Sequence, residues 1–350
     1  MRILQVNTEK TWRGGERQTL YMLEGLRQQG VKVCLLALKG SMMHQRAAEV
    51  GIDVIAAKDA FDVWKKLSGL SGQFDCIHAQ TGKSHTQCVL TKVFHRIPVV
   101  YTRRVDFVPS GLLTKIKYHL TDQVVSISSA IADILSKSEV CTNSPVISSA
   151  VKEKALNAER AETLKTSLNI KDQTKVIGLV SALEAHKDPL VALRTIKQLH
   201  TVRQDFVVLH FGTGAMLEQV SSAINQLDLA DVYLLQGHHS DVEDYFSIMD
   251  VFLMTSNEEG LGSSVLDAFC YGVGVVSTNA GGLNNLVKAR GFLCNIGDEV
   301  CLADGLNEVL SHSKDVIAYQ EAAKLYCDNE VGVSTMVSSY IDIYQRLTHE

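Results

Sequence analysis

No stretch of this chain approaches the roughly 18 consecutive apolar residues that a membrane-crossing helix needs, although 46% of its 350 residues are hydrophobic. The apolar residues are spread in short runs, as in a globular protein. The opening run Met1-Arg2-Ile3-Leu4-Gln5-Val6-Asn7 is too short for the core of a signal peptide and reads as a first strand, so a cytoplasmic location is expected. C-x-x-C pairs are lacking too. The eight cysteines stand singly at 34, 76, 88, 141, 270, 294, 301 and 327, which favours buried free thiols in a reducing compartment over zinc sites or disulfides. Internal repeats and low-complexity segments are missing, and aromatic residues do not interleave with basic ones, which argues against a nucleic-acid partner.

What is present is length, alternation and an uneven charge. A chain of 350 residues exceeds the size at which one core stays efficient, so two domains are expected. Residues 1–165 carry 23 Lys+Arg and 15 Asp+Glu, a balance of +8, and the remainder carries 11 and 24, a balance of −13. A basic front half suits an anionic acceptor or an anionic membrane surface; ordinary solvated faces would give the same count. Short apolar runs at 3–6, 31–38, 74–78, 97–101 and 124–127 alternate with helical spacing at 17–29, 84–94 and 129–137. A second series follows at 176–180, 206–211, 232–235, 251–254 and 273–277. Such alternation predicts parallel sheets covered by helices, with ligands at the carboxyl ends of the strands. Between 150 and 174 the composition shifts to Lys, Glu, Asn and Ala, which places a boundary near residue 165. The expected domains are therefore 1–165 and 166–330, with the helical tail ending in a helix over 331–347.

The stretch 254–287 constrains function most. A buried strand ends at Met254, and Val265, Leu266, Ala268 and Phe269 follow on helical spacing. Between them lies Glu258-Glu259-Gly260-Leu261-Gly262-Ser263-Ser264. Glycines admit a ligand close to the backbone, serines cap, and the first-turn N–H groups carry the positive end of the helix dipole, which suits a phosphate. Glu259 and Asp267 can flank the same crevice, where carboxylates would accept hydrogen bonds from sugar hydroxyls. An acidic pair at an exposed helix start is the structural alternative. A second glycine turn follows at Asn279-Ala280-Gly281-Gly282.

The run Ser256-x-x-Glu259-Gly260-Leu261-Gly262, then Asp267-Ala268, Gly272, Val275-Val276 and Gly281-Gly282, resembles the donor-site signature of retaining GT-B glycosyltransferases of family 4, the type that builds bacterial lipopolysaccharide and other surface glycans. The resemblance covers nearly the whole chain. It implies an α/β fold of two Rossmann-like, doubly wound domains facing a cleft, with the last helix crossing back to the first domain. It further implies metal-independent transfer of a sugar from a nucleoside-diphosphate sugar to a glycan or lipid-linked acceptor, with no cofactor. Glu259 matches the acid facing the transferred sugar and Asp267 the acid facing the ribose. Lys187, in Ser181-Ala182-Leu183-Glu184-Ala185-His186-Lys187, matches the lysine holding the donor phosphates. Gly260, Leu261, Gly262 and Ser263 join the donor site, as do Gly212 and Gly214 of His210-Phe211-Gly212-Thr213-Gly214 and Gly14 and Gly15 of Trp12-Arg13-Gly14-Gly15-Glu16-Arg17.

Some positions depart from the family. Ala182 stands where the family has an arginine, Asn285 where it often has a glutamate, and 144–150 lacks the usual Pro-Asn-Gly. Arg103 and Arg104 stand where many members have a histidine. They contact a phosphate or an anionic acceptor, or else brace their loop with Asp106; Arg13 and Arg17 supply charge to the same site or are simply solvated. His78 and His85 edge the presumed cleft without an assigned role. Leu113, Ile116, Tyr118 and Leu120 alternate with Lys115, Lys117 and His119 in a segment that reads as an anionic-membrane contact at the inner face of the cell membrane or as a half-buried helix. Two other readings share the fold: a nucleotide-sugar epimerase or hydrolase, and a degenerate sugar-nucleotide-binding protein.

Overall fold

A computed structural model of the chain describes residues 1–239, 241–312 and 314–349. The chain divides into two compact units, Met1–Ala150 with Val331–Glu350, and Val151–Glu330.

In the first unit, β1 (Arg2–Asn7), β2 (Lys32–Leu38), β3 (Asp53–Ala57), β4 (Cys76–Ala79), β5 (Val99–Arg103) and β6 (Gln123–Ser126) form one sheet in the order β3-β2-β1-β4-β5-β6. Every pairing is parallel. β1, β4 and β5 are buried along nearly their whole length, as expected of a parallel sheet with both faces covered, and they bury polar side chains, Gln5, Asn7, His78, Thr102 and Arg103, among the apolar ones. The last helix, Val333–His349, belongs to this unit. Its Val337, Tyr340 and Tyr344 pack with Ile3, Met22, Leu26 and Val100. The helix Gly14–Gln28 comes so near it that a Cβ on Gly25 would lie 2.6 Å from Val337 Cγ2.

In the second unit, β7 (Lys175–Val180), β8 (Phe206–Phe211), β9 (Tyr233–Gly237), β10 (Val251–Met254), β11 (Gly274–Thr278) and β12 (Phe292–Cys294) form a parallel sheet in the order β12-β11-β10-β7-β8-β9. Counted within its own unit, each sheet therefore has the order 3-2-1-4-5-6, and the order reverses between β1 and β4 and between β7 and β10. Ligands of such sheets bind beyond the carboxyl ends at that reversal.

Two expectations are corrected. The division falls at Ala150/Val151 rather than near residue 165. The helix Ala158–Ser167 is tied to the second unit by Arg160 Nη1, 2.6 Å from Asp244 Oδ2, and by the Asn157 N–H on Asp244 Oδ1 at 3.1 Å. The cysteines are not all free: Cys294 and Cys301 form a disulfide with their Cα atoms 5.8 Å apart. Cys294 ends β12 and Cys301 lies in the first turn of the helix Glu299–Leu310, where Asp298 caps its N–H at 3.0 Å. The tight turn between them, with Gly297 at φ +77°, brings the two sulfurs together. The other six cysteines are unpaired, four of them buried.

Candidate functional site

At the reversal point of the second unit, the loops leaving β7 and β10 are stitched together. The backbone N–H of Asn257 donates to the His186 carbonyl at 3.0 Å, and Thr255 Oγ1 donates to the carbonyls of Lys187 and Asp188, each at 3.1 Å. Asp188, at φ +45°, turns the chain into the helix Pro189–His200 and caps it through the Val191 N–H. These constraints bring Lys187 Nζ to 2.5 Å from Glu259 Oε2, with both side chains mostly buried. Ser256 Oγ approaches the same carboxylate oxygen at 3.5 Å.

The loop leaving β11 closes on this pair. The Gly282 N–H donates to the Glu259 carbonyl at 2.8 Å, and Thr278 Oγ1 donates to the Ser256 carbonyl at 2.6 Å. Gly281 sits at φ +49°, and a Cβ there would lie 2.2 Å from the Glu259 carbonyl oxygen, so only glycine fits. Gly262, at φ +90°, is the N-cap of the helix Ser263–Cys270 and offers no side-chain acceptor to its first turn. That end keeps its partial positive charge for an anion. Gly260, Leu261 and Ser263 lie in the same turn, and Asp267 is buried one turn further along the helix.

Gly212 and Gly214 follow β8, and the chain itself accounts for both as glycines. A Cβ on Gly212 would overlap the Ser181 carbonyl oxygen, and one on Gly214 would lie 2.3 Å from that of Leu183. The turn is thus packed on the segment that carries Ala182, and Glu184 Oε1 accepts from the Ala215 N–H at 3.2 Å. Beneath it, His210 is fully buried between Tyr233 OH and Ser181, and burial lowers its pKa to about 4.

In the first unit, Gly14 and Gly15 open the helix Gly14–Gln28 after β1. The Arg13 N–H donates to Glu16 Oε2 at 3.0 Å, and burial raises the Glu16 pKa despite Asn7 beside it. Arg13 itself is exposed and Arg17 half-buried. A Cβ on Gly15 would meet Arg104 Cδ at 3.7 Å, an ordinary contact. The two adjacent arginines part company. Arg103, at 2% exposure, donates to Tyr118 OH at 2.5 Å and to the Phe107 carbonyl, which makes it the brace of its loop. Arg104 lies at the β1/β4 reversal, where Nη1 donates to the Gln80 carbonyl at 2.9 Å and Nη2 to Gln80 Oε1 at 2.6 Å.

The structure therefore gathers Lys187, Glu259, Gly260, Leu261, Gly262 and Ser263 around one sheet edge and puts Arg104 at the equivalent edge of the first unit. Thr255, Asn257 and Thr278, which hold the loops together, carry no signal in the sequence. Gln80 was visible only as a polar residue after a strand.

The N-terminal part matches the family model "Glycosyltransferase Family 4" over residues 12–151, and the C-terminal part matches "Glycosyl transferases group 1" over residues 160–326. The chain is 23% identical over 277 residues to alpha-monoglucosyldiacylglycerol synthase of Streptococcus pneumoniae, covering 73% of this chain and 63% of that protein. It is 24% identical over 183 residues to N-acetyl-alpha-D-glucosaminyl L-malate synthase of Bacillus anthracis, covering 52% and 48%. The matched segments thus span about half to just under two thirds of these relatives' length. Among solved structures, Anabaena HepE in complex with UDP and glucose superposes with a TM-score of 0.87 at 17% identity, covering 99% of this chain and all of that one. A glycosyltransferase from Rickettsia africae gives 0.82 at 19% identity, covering 99% and 98%. Two matching family models in sequence, and this fold across the full length of the chain, lead to one assignment: the chain belongs to the family 4 glycosyltransferases of the GT-B fold.

Proposed function

We propose that this protein transfers a sugar from a nucleoside-diphosphate sugar to a glycan or lipid-linked acceptor, with retention at the anomeric carbon and without a metal ion. The observation that carries the reading is the Lys187–Glu259 pair, 2.5 Å apart at the strand reversal beside an N-terminal helix turn. A diphosphate entering there competes with Glu259 for the Lys187 ammonium. The lysine and the first-turn N–H groups of Ser263–Cys270 then stabilise the charge that builds on the leaving phosphate as the bond from the sugar carbon to the phosphate oxygen breaks. Glu259, released, accepts hydrogen bonds from the sugar hydroxyls. The acceptor oxygen bonds to the anomeric carbon on the face the diphosphate leaves, and its proton passes to a phosphate oxygen. Asp267 is assigned to the ribose and Gly212 and Gly214 to the walls of the donor site.

HepE was crystallised with UDP and glucose, so UDP-sugars are the first donors to try, and the synthase of Streptococcus pneumoniae is named for a glucosyl diacylglycerol, so lipid acceptors are the first acceptors. A thermal-shift panel of UDP-, GDP- and ADP-sugars tests the donor: a ligand at 100 times its dissociation constant adds about 2.7 kcal/mol of stability. No shift with any of the three classes would sink the reading. Sugar release without any acceptor would point to hydrolysis, and scrambling of the sugar to epimerisation.

A peripheral membrane contact on the cytoplasmic side belongs to the same proposal. On the helix Leu112–His119, Leu112 and Leu113 are 75% and 82% exposed, next to Lys115 and Lys117. Apolar side chains standing in water among lysines suit an anionic bilayer surface. The protein should sediment with vesicles containing phosphatidylglycerol and not with pure phosphatidylcholine, and Leu112→Ser with Leu113→Ser should abolish sedimentation. Equal binding to both vesicle types would remove the charge argument.

A further inference from the structure

One chain of hydrogen bonds in the first unit serves none of the roles above. Arg104 donates both terminal nitrogens to Gln80, to its carbonyl and to Oε1. Gln80 Nε2 donates to Gln5 Oε1 at 2.5 Å, and Gln5 Nε2 donates to Tyr344 OH at 3.2 Å. Tyr344 OH lies 2.6 Å from His78 Nδ1, His78 Nε2 lies 2.7 Å from Thr102 Oγ1, and Thr102 Oγ1 lies 2.6 Å from Tyr340 OH. Apart from Arg104, every member is buried.

The direction of the chain is fixed from one end. A guanidinium has only donors, so Gln80 must turn its side-chain oxygen to Arg104 and its NH2 to Gln5. Gln5 must then accept from Gln80 and donate to Tyr344. Tyr344, already accepting, gives its proton to His78 Nδ1, which leaves the histidine proton on Nε2 to be donated to Thr102. The orientation of each amide depends on the next partner inward. Without the Tyr344 hydroxyl, Gln5 loses its acceptor and is free to flip. A flipped Gln5 turns NH2 toward Gln80, Gln80 must answer with its oxygen, and its own NH2 then faces the Arg104 guanidinium, donor against donor.

A second observation bears on what Arg104 holds. Its Nε is buried and has no hydrogen-bond partner among the described residues. That nitrogen is closed off from solvent, but Nη1 and Nη2 each keep a second N–H beyond the one given to Gln80, and the side chain is only half-buried. A phosphate or carboxylate oxygen can take those donors and meet the charge together.

We propose that Tyr344 and Tyr340, on the terminal helix, act as positioning residues for the Arg104 guanidinium through this chain, and that Arg104 so held binds an oxyanion of a substrate. The oxyanion is a donor phosphate or an acidic group of the acceptor. This rests on the transferase reading for the ligand, and not for the positioning.

The test uses the full-length protein with Arg104→Gln, Tyr344→Phe, Tyr340→Phe and the Arg104→Gln/Tyr344→Phe double variant, each checked for native circular dichroism. Arg104→Gln should lower kcat/KM by about 10- to 100-fold and Tyr344→Phe by about 5- to 20-fold, while the double variant should match Arg104→Gln alone, since two residues acting through one group are not additive. A rise in donor KM or a fall in kcat identifies a donor phosphate, and a rise in acceptor KM alone identifies an acidic acceptor. Nitrogen-detected NMR of the arginine side chains gives an assay-free readout. The Arg104 Nη signals should show slow rotation in the parent protein and averaged rotation in Tyr344→Phe, with Tyr340→Phe in between. Multiplicative losses in the double variant, or Arg104 signals unchanged by Tyr344→Phe, would overturn the proposal. If the parent protein transfers no sugar, the transferase reading fails while the NMR comparison still decides the positioning.

Discussion

Lys187 and Glu259 neutralise one another at 2.5 Å in a setting where both side chains are largely out of water. Removing one charge must therefore be read through the other. Glu259→Gln keeps the shape and frees the ammonium, so UDP affinity measured by calorimetry should hold or tighten while kcat falls by about 100-fold or more. Lys187→Ala should do the reverse to affinity, weakening UDP at least tenfold, and should destabilise the fold by leaving a part-buried carboxylate alone. If both variants weaken UDP equally, the two residues share one role and the division of labour is wrong. The adjacent arginines separate by a different measurement. Arg103→Gln removes a buried donor from Tyr118 and the Phe107 carbonyl and should cost about 1–3 kcal/mol in urea unfolding. Arg104→Gln, at a half-exposed site, should cost markedly less stability and more activity.

Among the loops at the carboxyl edges, glycines with the same look in sequence have different reasons to exist. A Cβ on Gly281 would collide with the Glu259 carbonyl, at a φ of +49°; one on Gly15 would merely touch Arg104. Gly281→Ala should therefore lower stability by about 1–3 kcal/mol and displace Glu259, whereas Gly15→Ala should leave the melting temperature within error and act only on turnover. The sequence could not separate these cases, because what a glycine faces is set by a loop from another strand. The core strands were legible for the opposite reason: β1, β7, β8 and β10 are buried along nearly their whole length and read as local apolar runs. β3, an edge strand whose run Val54-Ile55-Ala56-Ala57 is mostly half-buried, and β12, an edge strand of only three residues, do not stand out from the sequence around them. Glu259 and Lys187 were legible through their family motif, but their direct pairing was not, since it depends on Asn257 and Thr255 reaching the β7 loop. The disulfide has no C-x-x-C signature, since a strand, a turn and a helix start join cysteines seven apart. Closing so short a loop contributes about 2 kcal/mol in the chain-entropy account. Reductant, or Cys301→Ser, should lower the denaturation midpoint accordingly; no change with either would mean that the thiols are free in solution.

Over the whole molecule the charges divide by unit as well as by sequence. The first unit has twenty basic and fourteen acidic side chains, a net of +6, and the second fourteen and twenty-five, a net of −11. Buried histidines occur in both. His78, His85 and His95 in the first unit and His210 in the second are buried. Burial holds His78 well below its ordinary pKa, lowers His85 to about 2 and His210 to about 4, and lowers His95 as well. In the unfolded chain each titrates near 6.5. Below that pH the unfolded state binds protons that the folded state refuses, so the stability is complete above about pH 6.5 and is lost as the pH falls. Each histidine costs about 1.4 kcal/mol per pH unit until its folded pKa is reached. Glu16, whose pKa is raised by burial, works in the opposite direction and offsets a little of this. Urea unfolding between pH 7.5 and 5.0 should therefore show midpoints that are flat at first and then fall steeply below 6.5. If the two units unfold in separate steps, the step belonging to the first should fall more steeply, with His78, His85 and His95 against His210 alone. His210→Gln should flatten only the shallower step; a steep fall that survives this substitution there would place the proton uptake on carboxylates instead.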